Sequence, residues 1–248
     1  MRVPAIGLLS VALLLTPALD AAEPSRFSLE LEGGAAWQAR NDFAVPGDGG
    51  TRVELGQFNS GPAAAFRGTL TWDVGSNWTL RAVVAPLSLT TDFVPGTPVV
   101  FQTTTFPAGA PLSVAYRFNS YRLSAYHRFP SSGPVAFRGG LTLKVRDARI
   151  GIAGSGLADE KTNVGLVPLL YGGIRWQATP RLALDLEAEG LAAPQGRAGD
   201  VSLKAEWAQS ERVALFGGYR LLEGGADNEE VYNFATFHYL VGGVRIRF

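Results

Sequence analysis

The residues that could do chemistry are few: two histidines, one acidic run and no cysteine. His238 follows Asp227-Asn228-Glu229-Glu230 at a short distance along the chain. A carboxylate beside a histidine can activate water for hydrolysis, because imidazole exchanges protons near neutral pH. Clustered carboxylates can also take a hard divalent cation. Loop carboxylates are ordinarily just solvated. The other histidine, His127, has no serine on its own face in an extended strand, since Ser124 falls on the opposite face. Without cysteine there is no thiolate nucleophile, thiolate metal site, disulfide or cysteine-linked lipid anchor. Gly139-Gly140 and Gly224-Gly225 lack the strand-to-helix setting of a phosphate loop. The expectation is a non-enzyme with no catalytic residue, no metal and no cofactor.

The remaining chemistry is charge placed by alternation. Strands put successive side chains on opposite faces. Val135, Phe137, Gly139, Leu141, Leu143 and Val145 share one face, against Arg138, Thr142, Lys144 and Arg146. The same two-residue period sets Leu29 and Leu31 against Glu30 and Glu32, and Leu123 against Arg122. It sets Ile174 against Arg175, Leu184 and Leu186 against Asp185 and Glu187, and Leu203 against Lys204. The segment at Leu182 to Glu189 has helical propensity, but strict alternation favours a strand. Segments of this kind recur about ten times. Turns near Ser76, Ser132, Thr179 and Ser210 are short, and connections near Gly47, Gly96, Gly156, Ala193 and Asn228 read as long. Trp72, Trp78, Phe129, Phe137, Trp176, Trp207 and Phe248 gather beside the short turns or at the terminus. Aromatic rings belong at a membrane interface.

The last stretch, TFHYLVGGVRIRF, puts Leu240, Val244, Ile246 and Phe248 on one face and Arg245 and Arg247 on the other. With its terminal phenylalanine it resembles bacterial outer-membrane β-barrels, whose final strand typically ends in Phe and is recognised by the barrel-assembly machinery. YRFNSYRLSAYHRF, LAAPQGRAGD and EGGADNEEVYNFATFHY are similar to a group of predicted barrels with no assigned activity. The His238 region also resembles ten-stranded outer-membrane proteases, but their second acidic element has no counterpart here.

Composition agrees with an exported barrel. Basic and acidic residues balance at 22 each, which argues against a nucleic-acid partner. Arg2, the apolar run Ile6 to Leu15 and small residues at Ala18, Ala21 and Ala22 read as a signal peptide over 1–22. Residues 23–248 then form one all-β domain: a transmembrane, antiparallel, up-and-down barrel of ten strands, with eight as the alternative. Its expected location is the outer membrane of a Gram-negative bacterium. Its expected partners are outer-membrane lipid and, during biogenesis, the assembly machinery acting on Phe248. Glu30, Glu32, Arg122, Arg138, Lys144, Arg175, Asp185, Glu187, Lys204, Arg245 and Arg247 should line the lumen, with Arg245 and Arg247 against Glu30 and Glu32 across the seam. The paired charges would form either a salt-bridged plug or a narrow porin-like path. The expected function is structural, surface-interacting or pore-forming. The alternatives are a lipid- or peptide-hydrolysing barrel and a soluble periplasmic barrel holding an apolar ligand.

Overall fold

The computed structural model describes residues 26–58, 61–194 and 196–248; the expected signal segment lies outside them. The wall is built from β1 (Phe27–Ala44), β3 (Ala63–Val74), β4 (Trp78–Ala85), β8 (Leu112–Phe129), β9 (Val135–Gly154), β10 (Leu157–Gln177), β11 (Leu182–Ala193), β12 (Gly196–Ala208), β13 (Val213–Asn228) and β14 (Val231–Arg247). Each pairs antiparallel with its neighbours, and β14 returns to β1 from Ser28↔Arg247 to Ala44↔Tyr232. The result is a closed ten-strand, up-and-down barrel. Short elements complete it: β2 (Val53–Glu54), a single 3-10 turn (Leu55–Gln57), β5 (Ser88–Phe93), β6 (Val99–Phe101) and β7 (Thr104–Phe106).

The outer face is apolar over one band. Its lower edge carries Trp72, Trp78, Phe129, Phe137, Trp176, Trp207 and Phe248, all exposed. Phe27 stacks between Trp72 and Phe248 at 5.9 and 6.3 Å. Trp37, Phe66, Tyr121 and Tyr219 mark the upper edge. From Phe27 to Trp37 a strand rises about 34 Å, or about 26 Å of height at a tilt of ~40°, close to the apolar band of a membrane barrel.

Above that band the strands continue. The expected loops near Gly156, Ala193 and Asn228 are instead largely ladder: β9 and β10 pair as far as Gly154↔Leu157, β11 and β12 as far as Ala193↔Gly196, and β13 and β14 as far as Asn228↔Val231. At the β9–β10 tip both Ser155 and Gly156 have positive φ, 54° and 75°, as a two-residue hairpin turn requires. The apolar/polar alternation that marks a strand in the sequence stops where the outer face leaves lipid. The main-chain pairing does not, so these segments resemble loops in sequence alone.

The inner faces change character at the same height. On β8, Arg122 and Ser120 give way to Tyr116, Val114 and Leu112. On β9, Lys144 gives way to Ile150 and Ile152. With Phe43, Val53, Leu55, Phe93, Val99, Phe101, Phe106 and Phe237 these form a large apolar core. The first two connections fold over it. Gln102 N–H donates to Val45 O at 2.7 Å, and Thr51 N–H to Val100 O at 2.9 Å. Gln102 Nε2 donates to Asp159 Oδ1 at 2.6 Å, tying this cap to β10. At the rim the Asp42 carboxylate accepts from Arg40 Nε at 2.6 Å, and that bond holds the Arg40 guanidinium above its ordinary pKa.

Candidate functional site

Below the apolar core the lumen is filled by charge. Beginning at Arg81, cations and carboxylates alternate around a circuit. Arg81 meets Glu187 at 2.9 Å. Glu187 meets Arg138 at 3.6 Å, and Arg138 meets Asp185 at 2.5 Å. Arg175 joins Asp185 at 3.3 Å to Glu206 at 2.6 Å. Arg245 joins Glu206 to Glu30, the latter at 2.7 Å. Lys204 joins Glu30 to Glu32, the latter at 3.3 Å. Arg220 joins Glu32 at 3.0 Å to Asp200 at 2.8 Å. Arg122 joins Asp200 at 2.6 Å to Glu189, and Glu189 returns to Arg81. Seven cations alternate with seven carboxylates, so the circuit is electrically neutral.

The ring is also hydrogen-bonded. Tyr171 Oη donates to Glu187 at 2.7 Å, Thr142 Oγ1 to Glu189 at 2.9 Å, and Arg122 Nε to Ser120 Oγ at 2.9 Å. Buried charges are tolerated when they are paired and their remaining valences are met. An alternating closed circuit gives every member at least two opposite partners, which is how so many charges fit in one narrow lumen.

The expected residues Glu30, Glu32, Arg122, Arg138, Arg175, Asp185, Glu187, Lys204 and Arg245 are all ring members. Lys144 is buried inside but apart from them: among the described residues it has no ion-pair partner, and its ammonium lies 4.6 Å from the Phe118 ring centroid. The seam differs from expectation. Arg245 does meet Glu30, but Arg247 sits 3.6 Å from Glu206. In the β1–β14 register Ser28 stands opposite Arg247 and Gly243 opposite Glu32, so Glu32 reaches past β14 to Arg220 on β13 and Lys204 on β12. Sequence reasoning left Arg81 and Arg220 out of the lumen set, although both fall on polar strand faces; Glu189 and Glu206, which the alternation of their strands places inside, are ring members. Asp200 was hidden because LAAPQGRAGD reads as a loop; Gly196 to Asp200 instead open β12, and Asp200 anchors Arg122, Arg220 and Arg67.

The residues with catalytic potential are scattered. His238 faces outward on β14 and shares a hydrogen bond with the Tyr219 hydroxyl. Asp227 pairs with Tyr232 at the hairpin end, about 20 Å along the strand from His238. His127 lies in the lower girdle, 5.4 Å from Trp78 and 5.1 Å from Phe129. Among the described residues no group of three His, Asp or Glu side chains could hold a metal ion.

A closed barrel with apolar side chains outside and a paired ionic network inside is suited to a bilayer. The outer-membrane protease OmpT of Escherichia coli superposes with a TM-score of 0.58 at 9% identity, covering 91% of this chain and 97% of OmpT. This chain has the fold of the bacterial outer-membrane β-barrels. The fold also matches the attachment invasion locus protein Ail of Yersinia pestis, at 10% identity over 89% of this chain and 99% of Ail, TM-score 0.42. The translocator domain of the autotransporter NalP of Neisseria meningitidis matches at 12% identity over 93% and 91%, TM-score 0.45. No protein-family model matches the sequence, and no curated protein matches it. The apolar outer band, with Phe66, Leu123, Leu141, Leu166 and Leu240 exposed, also disposes of the soluble ligand-carrying alternative, whose outer face would have to be polar.

Proposed function

We propose that this protein is a sealed, non-enzymatic barrel of the outer membrane whose work is done at its extracellular wall. The observation that carries this reading is the stacking of two seals: the closed ion-pair ring and, above it, the capped apolar core. A pore needs a continuous wet path, and here Arg122 is 1% exposed and Phe43 and Phe106 fully buried along the axis. The wall above the lipid band, formed by the extended β8–β10 and β13–β14 pairs, offers a rigid platform rather than mobile loops. Outer-membrane lipid packs the belt, and the assembly machinery reads Phe248 at the lower rim.

The enzymatic alternative draws on the likeness to OmpT in fold, but at 9% identity that likeness is one of fold alone. His238 bonds to Tyr219 on the lipid-facing side, away from any acidic cleft. The refolded protein is expected to leave fluorogenic peptides and phospholipid substrates unhydrolysed, at rates equal to those of His238→Ala. A hydrolysis rate that His238→Ala abolishes would overturn the reading.

A further inference from the structure

The barrel wall has a gap at the outer edge of the lipid band. β3 pairs with β4 from Val74↔Trp78 up to Gly68↔Val84, and β5 takes over the pairing with β8 from Ser88↔Arg117. Above Gly68, β3 and β5 face each other without pairing. Hydrogen-bond parity fixes which main-chain groups are left over. Asp73 N–H donates to Arg26 O, so the odd residues of β3 bond to β1, and Ala64 and Phe66 turn their N–H and C=O groups to the gap. Phe118 N–H donates to Leu87 O, so Ser88 and Thr90 face the gap from the other side. The Phe58–Phe93 stack at 4.8 Å and the bond from Gln38 Nε2 to Thr91 Oγ1 at 2.8 Å close it above.

Unpaired strand edges are costly against hydrocarbon, and the gap stands just clear of it. Phe66, Val84 and Tyr121 are the last large apolar residues on the outer faces of their strands, and all are exposed. Immediately above them a cavity of about 550 Å³ lies against the wall, lined by Ala64, Ser88, Thr90, Ala115, Arg117 and Arg149 among others. Arg117 and Arg149 stand directly opposite each other in the β8–β9 register, which sets their Cα atoms about 5 Å apart. One anion can therefore reach both, and like charges so placed repel one another without it. Arg117 holds Asp147 at 2.9 Å and Arg149 holds Glu160, but neither carboxylate lines the cavity. The Nε atoms of both arginines are buried with no acceptor among the described residues. Paired guanidinium groups beside two hydroxyls and unpaired main-chain N–H donors suit a phosphate. The apolar wall directly below selects a phosphate that carries acyl chains.

We infer that this gap is a binding site for the phosphate-bearing headgroup of an outer-leaflet lipid. The phosphate sits between Arg117 and Arg149, the rest of the headgroup meets the free edges of β3 and β5, and the acyl chains run down over Phe66, Val84 and Tyr121. The site lies outside both seals of the lumen, so it stands or falls independently of the function proposed above.

The test is a titration of the refolded barrel in maltoside detergent. It is read by thermal midpoint and by amide hydrogen exchange in residues 63–67 of β3 and 88–92 of β5. Diphosphoryl lipid A, phosphatidylcholine and inorganic phosphate form the three arms. Lipid A is expected to raise the midpoint saturably and to slow exchange in both segments, and the other two to do neither. Arg117→Gln and Arg149→Gln, at positions more than one-third exposed where folding tolerates them, should each weaken the response by about tenfold. Arg197→Gln, a half-exposed cation of β12, should leave it unchanged. Folding of each variant is verified by its heat-dependent gel mobility. The proposal is overturned if lipid A gives no response, or raises the midpoint without protecting the two segments. It is overturned equally if phosphatidylcholine or inorganic phosphate matches lipid A, or if both arginine variants keep wild-type affinity.

Discussion

Arg122→Met is expected to destabilise the barrel by about 3–5 kcal/mol, the cost of removing one partner from a buried ion pair. Arg122 links two carboxylates that are themselves about 95% buried, Glu189 and Asp200. Its loss opens the ring and leaves both with less compensation, although Arg81 and Arg220 still touch one each. Glu189→Gln in the same chain should recover part of the loss, since it removes the charge left with fewer partners. Lys144→Met provides the contrast. That amine is buried and outside the ring, resting on Phe118 rather than on a carboxylate. Replacing it with an apolar side chain of similar length is expected to be neutral or stabilising by about 1–2 kcal/mol. Urea unfolding followed by tryptophan fluorescence and gel mobility measures all three. Equal losses for Arg122→Met and Lys144→Met would mean that the circuit has no special role.

Phe237→Ala should cost about 3–5 kcal/mol, because it empties a large buried site that rigid strands cannot collapse around. Phe237 is 2% exposed and packs 5.9 Å from Tyr116 in the extracellular core. Leu240 lies three residues further along the same strand but on the outer face, 62% exposed. Leu240→Ala should cost far less, since lipid refills the space it leaves. The effect of Phe237→Ala should also be local. The cap over residues 94–111 rests on that core, so limited proteolysis there should accelerate while the lower barrel keeps its folded gel mobility. Equal costs for the two variants would place the stabilising core elsewhere.

Much of this was legible in the sequence, and the reasons it was legible mark the boundary of what was not. Where lipid lies outside and charge inside, every second residue must change character. That rule alone located the ten strands, the lower aromatic girdle and the lumen face carrying Glu30, Arg122, Asp185 and Lys204. It fails above the membrane, where both environments of the wall change. The outer face meets water, so Ala153 to Asn163 lost its alternation and looked like loop although it is β9–β10 ladder. The inner face turns apolar, so although Ser113 to Phe129 alternates as one strand, nothing marked Tyr116, Val114 and Leu112 as part of an apolar core above Arg122. The ring itself could not be read because ion pairing across a lumen depends on strand inclination and side-chain reach. Glu32 faces Gly243 in register yet bonds to Lys204 and Arg220 from other strands. Parity gives the face of a residue. It does not give the partner on the opposite wall.

The sealed lumen is the claim on which the functional reading rests, and single-channel recording in a planar bilayer tests it most directly. Refolded protein, shown to have inserted by its folded gel mobility in matching proteoliposomes, should produce no conductance steps above those of the bare bilayer. Stable ohmic steps from the wild-type chain would contradict the account. They would require a continuous aqueous path through both the Arg81-to-Glu189 circuit and the Phe43, Phe106 and Phe237 core.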